Sequence, residues 1–204
     1  VVRCLFPAAA GQHMIAAKQN AFALYHQDGK LRYYNYATAT TYTTATVYSD
    51  SKEHIIVYRF DSTGASMIID YAETVTGATV PTSQANPLLL GSLTTGPVTL
   101  FNGIIRDVQI YNTKATDEQV QELSNGKVLS GCLAHYTFDE GSGTTINDRT
   151  GNGYNGTLTT ANATAFWAGV APMDNPADCL RDILAGSNLS YDCASWKGIP
   201  HARG

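Results

Sequence analysis

The sequence predicts an all-β protein, a two-sheet antiparallel β-sandwich with one short helix and an irregular C-terminal extension. Three observations carry this. The 204 residues include 24 Thr, 12 Tyr and 18 Gly; Thr and Tyr favour strands, and Gly punctuates turns. Short apolar or alternating runs recur between turn residues, the pattern of a sandwich or barrel. Only one segment carries a helical period with both start and stop signals. A chain of this length hides roughly 70% of its unfolded surface in a core.

The elements follow in order. Val1–Phe6 reads as an apolar strand ended by Pro7, and His13–Ala17 as a second strand. Ala21–His26 and Leu31–Tyr36 flank Asp28-Gly29, a strong hairpin signal. By strand alternation Tyr33 and Asn35 share one face, and Arg32, Tyr34 and Tyr36 share the other. Thr38–Tyr48 is a Thr-rich strand with a polar face, and His54–Phe60 is strongly apolar. The turn Asp61–Gly64 joins that strand to Ala65–Asp70. Leu88–Leu90, Val98–Leu100 and Ile104–Tyr111 are further strands. Thr116 and Gln119 have capping-box spacing, Val120 and Leu123 share one helical face, and Gly126 stops the helix, which is expected on a sheet edge. Cys132–Phe138 is a strand, Glu140–Gly156 a loop dense in Gly, Asn and Asp, and Thr157–Trp167 one or two strands more. From Ala171 to Gly204 no clean period is found. Val1 opens a strand at once, so the chain reads as a processed or truncated product.

Composition narrows function. Charged residues make up 15% of the chain, and the net charge is −4 with 13 Lys and Arg. That balance argues against a nucleic-acid footprint. No apolar run approaches the ~20 residues of a membrane helix, so membrane insertion is not expected.

Two segments resemble a known family. Phe101–Asn112 with the Thr116–Leu123 helix resembles the last strand and closing helix of laminin-G-like, concanavalin-A-like domains. His135–Gly143, with Asp148 and Gly151–Leu158, is similar to the opening strand and loop of the same family, and Glu53–Gly64 to its central hairpin. The resemblance implies a concanavalin-A-like jelly roll over residues 1–170, followed by an extension over 171–204. Here the family's opening strand follows its closing helix. Either the domain is permuted within one chain, or the strand is shared with a neighbouring subunit. Both leave the sheet in need of Leu133–Phe138 to cover an open edge.

Four cysteines, Cys4, Cys132, Cys179 and Cys193, allow three pairings. Cys179 and Cys193 bracket a loop in the extension, where a disulfide would help most. Cys4 and Cys132 either meet on adjacent strands or are buried thiols. Asn155, Asn162 and Asn188 stand in Asn-x-Thr/Ser triplets. Asp139, Asp148, Asn152 and Asn155, joined by Asp107, supply hard oxygens for calcium; relatives with calcium sites strengthen that reading, and turn chemistry is the alternative. No cofactor is firmly implied. Paired carboxylates at strand spacing, which glycosidases of this fold need, are missing, so the chain is read as a non-enzyme.

Glycan binding is the family's common non-enzymatic use. It requires aromatic platforms with a few polar groups, and Tyr33, Tyr34, Tyr36 and Tyr42 are the candidates, with Tyr48 a further supplier. Low charge and the odd strand order also suit assembly with copies of the chain or with neighbouring surface proteins. The expectation is a non-catalytic surface module for assembly or attachment, extracellular, on a cell surface or on a virion such as a phage decoration or fibre. The alternative is a secreted lectin or the binding module of a glycosidase.

Overall fold

A computed structural model of the chain describes residues 1–6, 11–77, 80–93 and 100–158. The chain divides into two compact units, one formed by Val1–Phe138 with Thr144–Thr159 and the other by Asp139–Gly143 with Thr160–Gly204. The architecture below is that of the first unit. The expected Cys179–Cys193 disulfide, the 171–204 extension and the triplets at Asn162 and Asn188 lie outside the described residues.

Thirteen strands and one helix are described: β1 (Val2–Leu5), β2 (Gln12–Lys18), β3 (Phe22–Gln27), β4 (Lys30–Asn35), β5 (Thr40–Thr43), β6 (Glu53–Asp61), β7 (Gly64–Ile69), β8 (Glu73–Gly77), β9 (Leu88–Leu90), β10 (Ile104–Tyr111), α1 (Asp117–Ser124), β11 (Cys132–Tyr136), β12 (Thr145–Ile146) and β13 (Gly156–Thr157). Six strands form one antiparallel sheet in the order β11-β10-β1-β6-β7-β8, and five form another in the order β5-β4-β3-β2-β9. β12 and β13 make a separate two-stranded ribbon.

Alternation along each strand builds the core. Cys4 and Phe6, on or just past β1, Ile56 on β6, and Met67 and Ile69 on β7 are buried, as are Leu24, Leu31 and Tyr33 of the other sheet. Rings join the two layers: Phe6 stacks on His26 at 5.1 Å between centroids, and Phe22 and Tyr33 meet Tyr58 at 5.2 and 5.3 Å. A second core lies behind the six-stranded sheet, where Val120 and Leu123 of α1 pack on Val57 and Ile68. Each such burial contributes roughly 1.5–3 kcal/mol. The helix therefore covers a sheet face, and the expected edge position is corrected. Its caps are those the sequence announces: Thr116 accepts from Gln119 N, Gln119 reaches back to Thr116 N, and Gly126 N donates to Leu123 O.

Other expectations need correcting. Thr38–Tyr48 is not one strand, since β5 ends at Thr43. Thr44 turns inward instead, its hydroxyl accepting from Leu31 N and donating to Thr46 O. Side-chain hydroxyls compete with the ladder in this way wherever Thr is frequent. β8 was not foreseen. Its Thr74, Val75 and Thr76 suit a strand, but the polar run offers no apolar alternation. Leu100 is not in a strand, and Val98 lies outside the described residues. Of the segment 157–167 expected to hold strands, Thr157 lies in the ribbon and residues 159–167 lie outside the described residues. Cys4 and Cys132 are free thiols, because β10 separates β1 from β11.

Candidate functional site

The β3–β4 hairpin sets the geometry of the tyrosines. Asp28 and Gly29 both have positive φ, 51° and 79°, the two-residue turn whose twist matches paired strands. Gln27 then faces Lys30, Tyr25 faces Arg32, Leu24 faces Tyr33 and Ala23 faces Tyr34. Leu31, Tyr33 and Asn35 point into the sandwich and are buried; Lys30, Arg32, Tyr34 and Tyr36 line the outward face and are half-buried.

This divides the four candidate tyrosines. Tyr33 has no exposed surface. Its ring stacks on Tyr42, its register partner on β5, at 4.5 Å and 14°. Burial pushes the Tyr33 hydroxyl far above the usual phenol range. A ring enclosed on both sides has no face to offer a ligand, so Tyr33 is a packing residue, and Tyr42 is its stacking partner. Tyr48 is also buried, its hydroxyl donating to Glu73 at 2.8 Å. Tyr34 and Tyr36 remain on the outward face, edge to face at 4.8 Å and 86°. They pack with Leu93 against a floor of Met14, Ala17, Ala23 and Tyr25.

Two residues not among the candidates join them. Arg32 Nη1 donates to Gln27 Oε1 at 2.9 Å, which orients the guanidinium. Its Nε has neither solvent contact nor a hydrogen-bond partner. Strand alternation already placed Arg32 beside Tyr34 and Tyr36; the diagonal bond to Gln27 is visible only in the folded sheet. The group combines apolar ring faces with oriented amide and guanidinium donors.

The calcium reading fares differently. Asp148 directs its oxygens at its own loop: they accept from the N–H of His135, Thr150 and Tyr154 and from the Thr150 hydroxyl at 2.7–3.2 Å. Burial alone would raise this carboxyl, but those donors outweigh it and hold it at about 2. Asn155 Oδ1 accepts from Asp148 N, and Asn152 Nδ2 donates to the carbonyls of Cys132 and Leu133. Asp107 is engaged by His135 at 2.6 Å and by Gln109 at 3.0 Å. Asp139 belongs to the second unit. Among the described residues no three His, Cys, Asp or Glu side chains are placed to hold a metal. In the first unit the side chains of Asp107, Asp148, Asn152 and Asn155 are engaged by these local bonds, as turn residues are.

That loop closes the sheet. β11 pairs with β10 of the same chain, Val108 facing Tyr136 and Gln109 facing His135. On the outer side of β11, Arg149 N donates to His135 O, and Asn152 Nδ2 to the carbonyls of Cys132 and Leu133. An edge strand otherwise leaves such groups open to another chain.

Two histidine clusters complete the inventory. His135 and Asp107 continue through Gln109 to Tyr111, whose hydroxyl donates to Gln109 Oε1 and accepts from Leu129 N. This chain of bonds ties β10, β11 and the post-helical loop together. His54 lies between two carboxylates, Nδ1 at 2.6 Å from Asp70 and Nε2 at 2.9 Å from Asp50. The Asp70 bond, helped by Asp50, raises the imidazole pKa against the opposing effect of burial.

Comparison with known proteins agrees with this architecture. No curated protein sequence matches the chain. A solved structure from Bacteroides ovatus ATCC 8483, titled as a candidate carbohydrate binding protein, is similar at a TM-score of 0.60 and 13% identity, over 78% of this chain. The chain spans about half of that protein, 53%. Domains LG4-5 of the mouse laminin alpha1 chain are similar at a TM-score of 0.41 and 16% identity, over 53% of this chain and 33% of that one. The sequence profile described as the concanavalin A-like lectin/glucanases superfamily, a laminin-G type, matches residues 6–121. That is more than half of the chain, and the chain belongs to this family.

Proposed function

We propose that the chain is a non-catalytic glycan-binding module for attachment, displayed outside the cell or on a cell or virion surface, with the outward face of the five-stranded sheet as its ligand surface. The observation that carries this is the Tyr34–Tyr36 pair beside the oriented Arg32. Sugar rings present C–H faces that rest on aromatic rings and hydroxyls that need oriented donors and acceptors, and this face supplies both. The Bacteroides ovatus neighbour, named for carbohydrate binding, supports the same direction. Among the described residues no helix is long and apolar enough to cross a membrane. Association with copies of the chain or with neighbouring surface proteins belongs to the same proposal.

The test is a screen of oligosaccharides by thermal shift, since a ligand that binds only the folded state raises Tm. A sugar-dependent rise that Tyr34→Ala and Tyr36→Ala abolish, and that EDTA leaves intact, is expected. Release of reducing ends from any bound polysaccharide would overturn the non-catalytic reading. Light scattering on the full chain reads the assembly arm; a monomer at all concentrations would remove it.

A further inference from the structure

Four Asn-Gly pairs stand in the sequence: Asn102-Gly103, Asn125-Gly126, Asn152-Gly153 and Asn155-Gly156. Chemically they are alike. In each, the Gly N–H follows the Asn side chain with no Cβ to hinder it. Once deprotonated, that nitrogen can attack the Asn Cγ and close a five-membered imide. A fold prevents this by holding the side chain or by engaging the attacking N–H.

Three of the pairs are held. Asn152 Nδ2 donates to the carbonyls of Cys132 and Leu133 at 3.3 and 3.0 Å. Asn155 Oδ1 accepts from Asp148 N at 2.9 Å, and Gly156 pairs with Ile146 in the β12–β13 ribbon. Asn125, the C-cap of α1, has an exposed side chain, but Gly126 N donates to Leu123 O at 2.9 Å. An N–H already donating gives up its proton less readily.

Asn102-Gly103 is different. The pair lies in the connection that enters β10, and both residues are exposed. Among the described residues neither the Asn102 side chain nor the Gly103 N–H has a hydrogen-bond partner. The residues on either side are fixed: Phe101 N donates to Gly91 O, and Ile104 pairs with Leu5. The fold also demands the glycine. A Cβ at position 103 would stand 2.4 Å from Leu5 O, a backbone atom of β1 rather than a yielding side chain. The close passage of β1 therefore imposes the one residue type that leaves Asn102 most open to attack.

We propose that Asn102 is a site of spontaneous covalent modification, converted to aspartate and isoaspartate in the folded protein while the other three pairs stay intact. Hydroxide takes the proton of Gly103 N, and the nitrogen bonds to Asn102 Cγ. The Cγ–Nδ2 bond breaks, and Nδ2 leaves as ammonia with a proton from water. Water then opens the imide at either carbonyl. The net change is one water consumed and one ammonia released, with nothing oxidised or reduced. The product carries one more negative charge and, in its β-linked form, one more backbone carbon just before β10.

The experiment incubates the full chain at mildly alkaline pH, folded and in guanidinium chloride. Peptide mapping by mass spectrometry follows, with chromatographic separation of aspartyl from isoaspartyl peptides. Each site is compared with its own rate in the unfolded chain. Asn102 should react at nearly its unfolded rate. Asn125, Asn152 and Asn155 should each slow by about tenfold or more, because an ordered pair must first open locally. Asn102→Gln should abolish the product at 102 and leave Tm unchanged, since the side chain is exposed and unbonded. Equal slowing at all four sites would overturn the proposal, as would faster reaction at Asn125 than at Asn102. A fall of Tm in Asn102→Gln would show that the side chain is held, and would count against it in the same way.

Discussion

The outward faces of the two sheets are built alike and finished differently. The six-stranded sheet is covered: α1 buries Val57 and Ile68, its three arginines meet carboxylates, and the Asp148–Asn152 loop takes up the free carbonyls of β11. The five-stranded sheet is also buried through Met14–Ala17 and Ala23–His26, but it keeps Tyr34 and Tyr36 half-buried and, among the described residues, its arginine without a counter-charge. A polar group already paired inside the chain stabilises the fold and has little left for a ligand. One that the fold orients but does not neutralise has its bonding capacity in reserve. By this criterion one face is scaffold and the other is the proposed recognition surface.

The sharpest way to break the contrast is to remove one scaffold contact. Leu123 is 1% exposed and anchors α1 to the sheet. Leu123→Ala is expected to cost about 2–5 kcal/mol, the range for emptying a core leucine site. Chemical denaturation reads this directly. The surviving folded protein should bind glycan with unchanged affinity; a parallel loss of affinity would mean that the two faces are not independent.

On the recognition face the expectation reverses. Tyr34→Ala should reduce glycan affinity by about tenfold or more, the usual weight of an aromatic anchor. Its effect on stability should be smaller than that of Leu123→Ala, because the ring is only half-buried. Tyr33→Ala should do the opposite, lowering Tm strongly while acting on binding only through folding.

That pair of neighbours shows what was legible in the sequence. Alternation alone assigned Tyr33 and Tyr34 to opposite faces, and Asp28-Gly29 fixed the hairpin that carries them. The capping box and Gly126 marked α1 for the same reason: each is a local rule written in adjacent residues. Which face was inside could not be read, because that depends on Phe22 and Tyr58 arriving from other strands. The loop at Asp148 carries two readings in the sequence for a related reason. Asp and Asn bond a cation and a backbone N–H with the same oxygens, and only the fold shows that β11 lies within reach. The free Nε of Arg32 is a property of its surroundings and has no trace in sequence.

A milder perturbation of the scaffold comes from Gly77. A methyl group there would overlap the Tyr33 hydroxyl and lie 2.7 Å from Tyr42 Cζ. Gly77→Ala should cost about 1–3 kcal/mol, as overpacking does. Tyr33→Phe in the same chain removes the atom it meets and should recover part of that loss. Tyr33 is thereby tested as a packing residue without touching the outward face.

The smallest effect expected is that of pH, and it has opposite signs at two histidines. His54 is raised by its bond to Asp70 and by Asp50. Its contribution is complete below the unfolded value near 6.5 and is lost as pH rises through the higher folded value. Asp50, drawn down by His54 and the Lys52 N–H against the upward pull of burial, contributes above its unfolded value and fails only in acid. His26 is lowered by burial and then by His13. It contributes above its unfolded value and loses that contribution as pH falls through the lower folded one. The groups facing His54 are Asp70, Asp50, the edge of the Tyr48 ring, Phe6 and the opposed Cys4. The thiol of Cys4 is pushed well up by burial and stays neutral across this window. Tm measured from pH 5 to 9 should therefore fall on the alkaline side in the parent chain. In His54→Gln that alkaline fall should vanish while the acid limb persists, set by His26 and by the Val1 amine, which burial lowers to about 6. Glycan affinity on the Tyr34–Tyr36 face should stay level across the same series; an affinity that followed the His54 titration would join the two faces that the structure keeps apart.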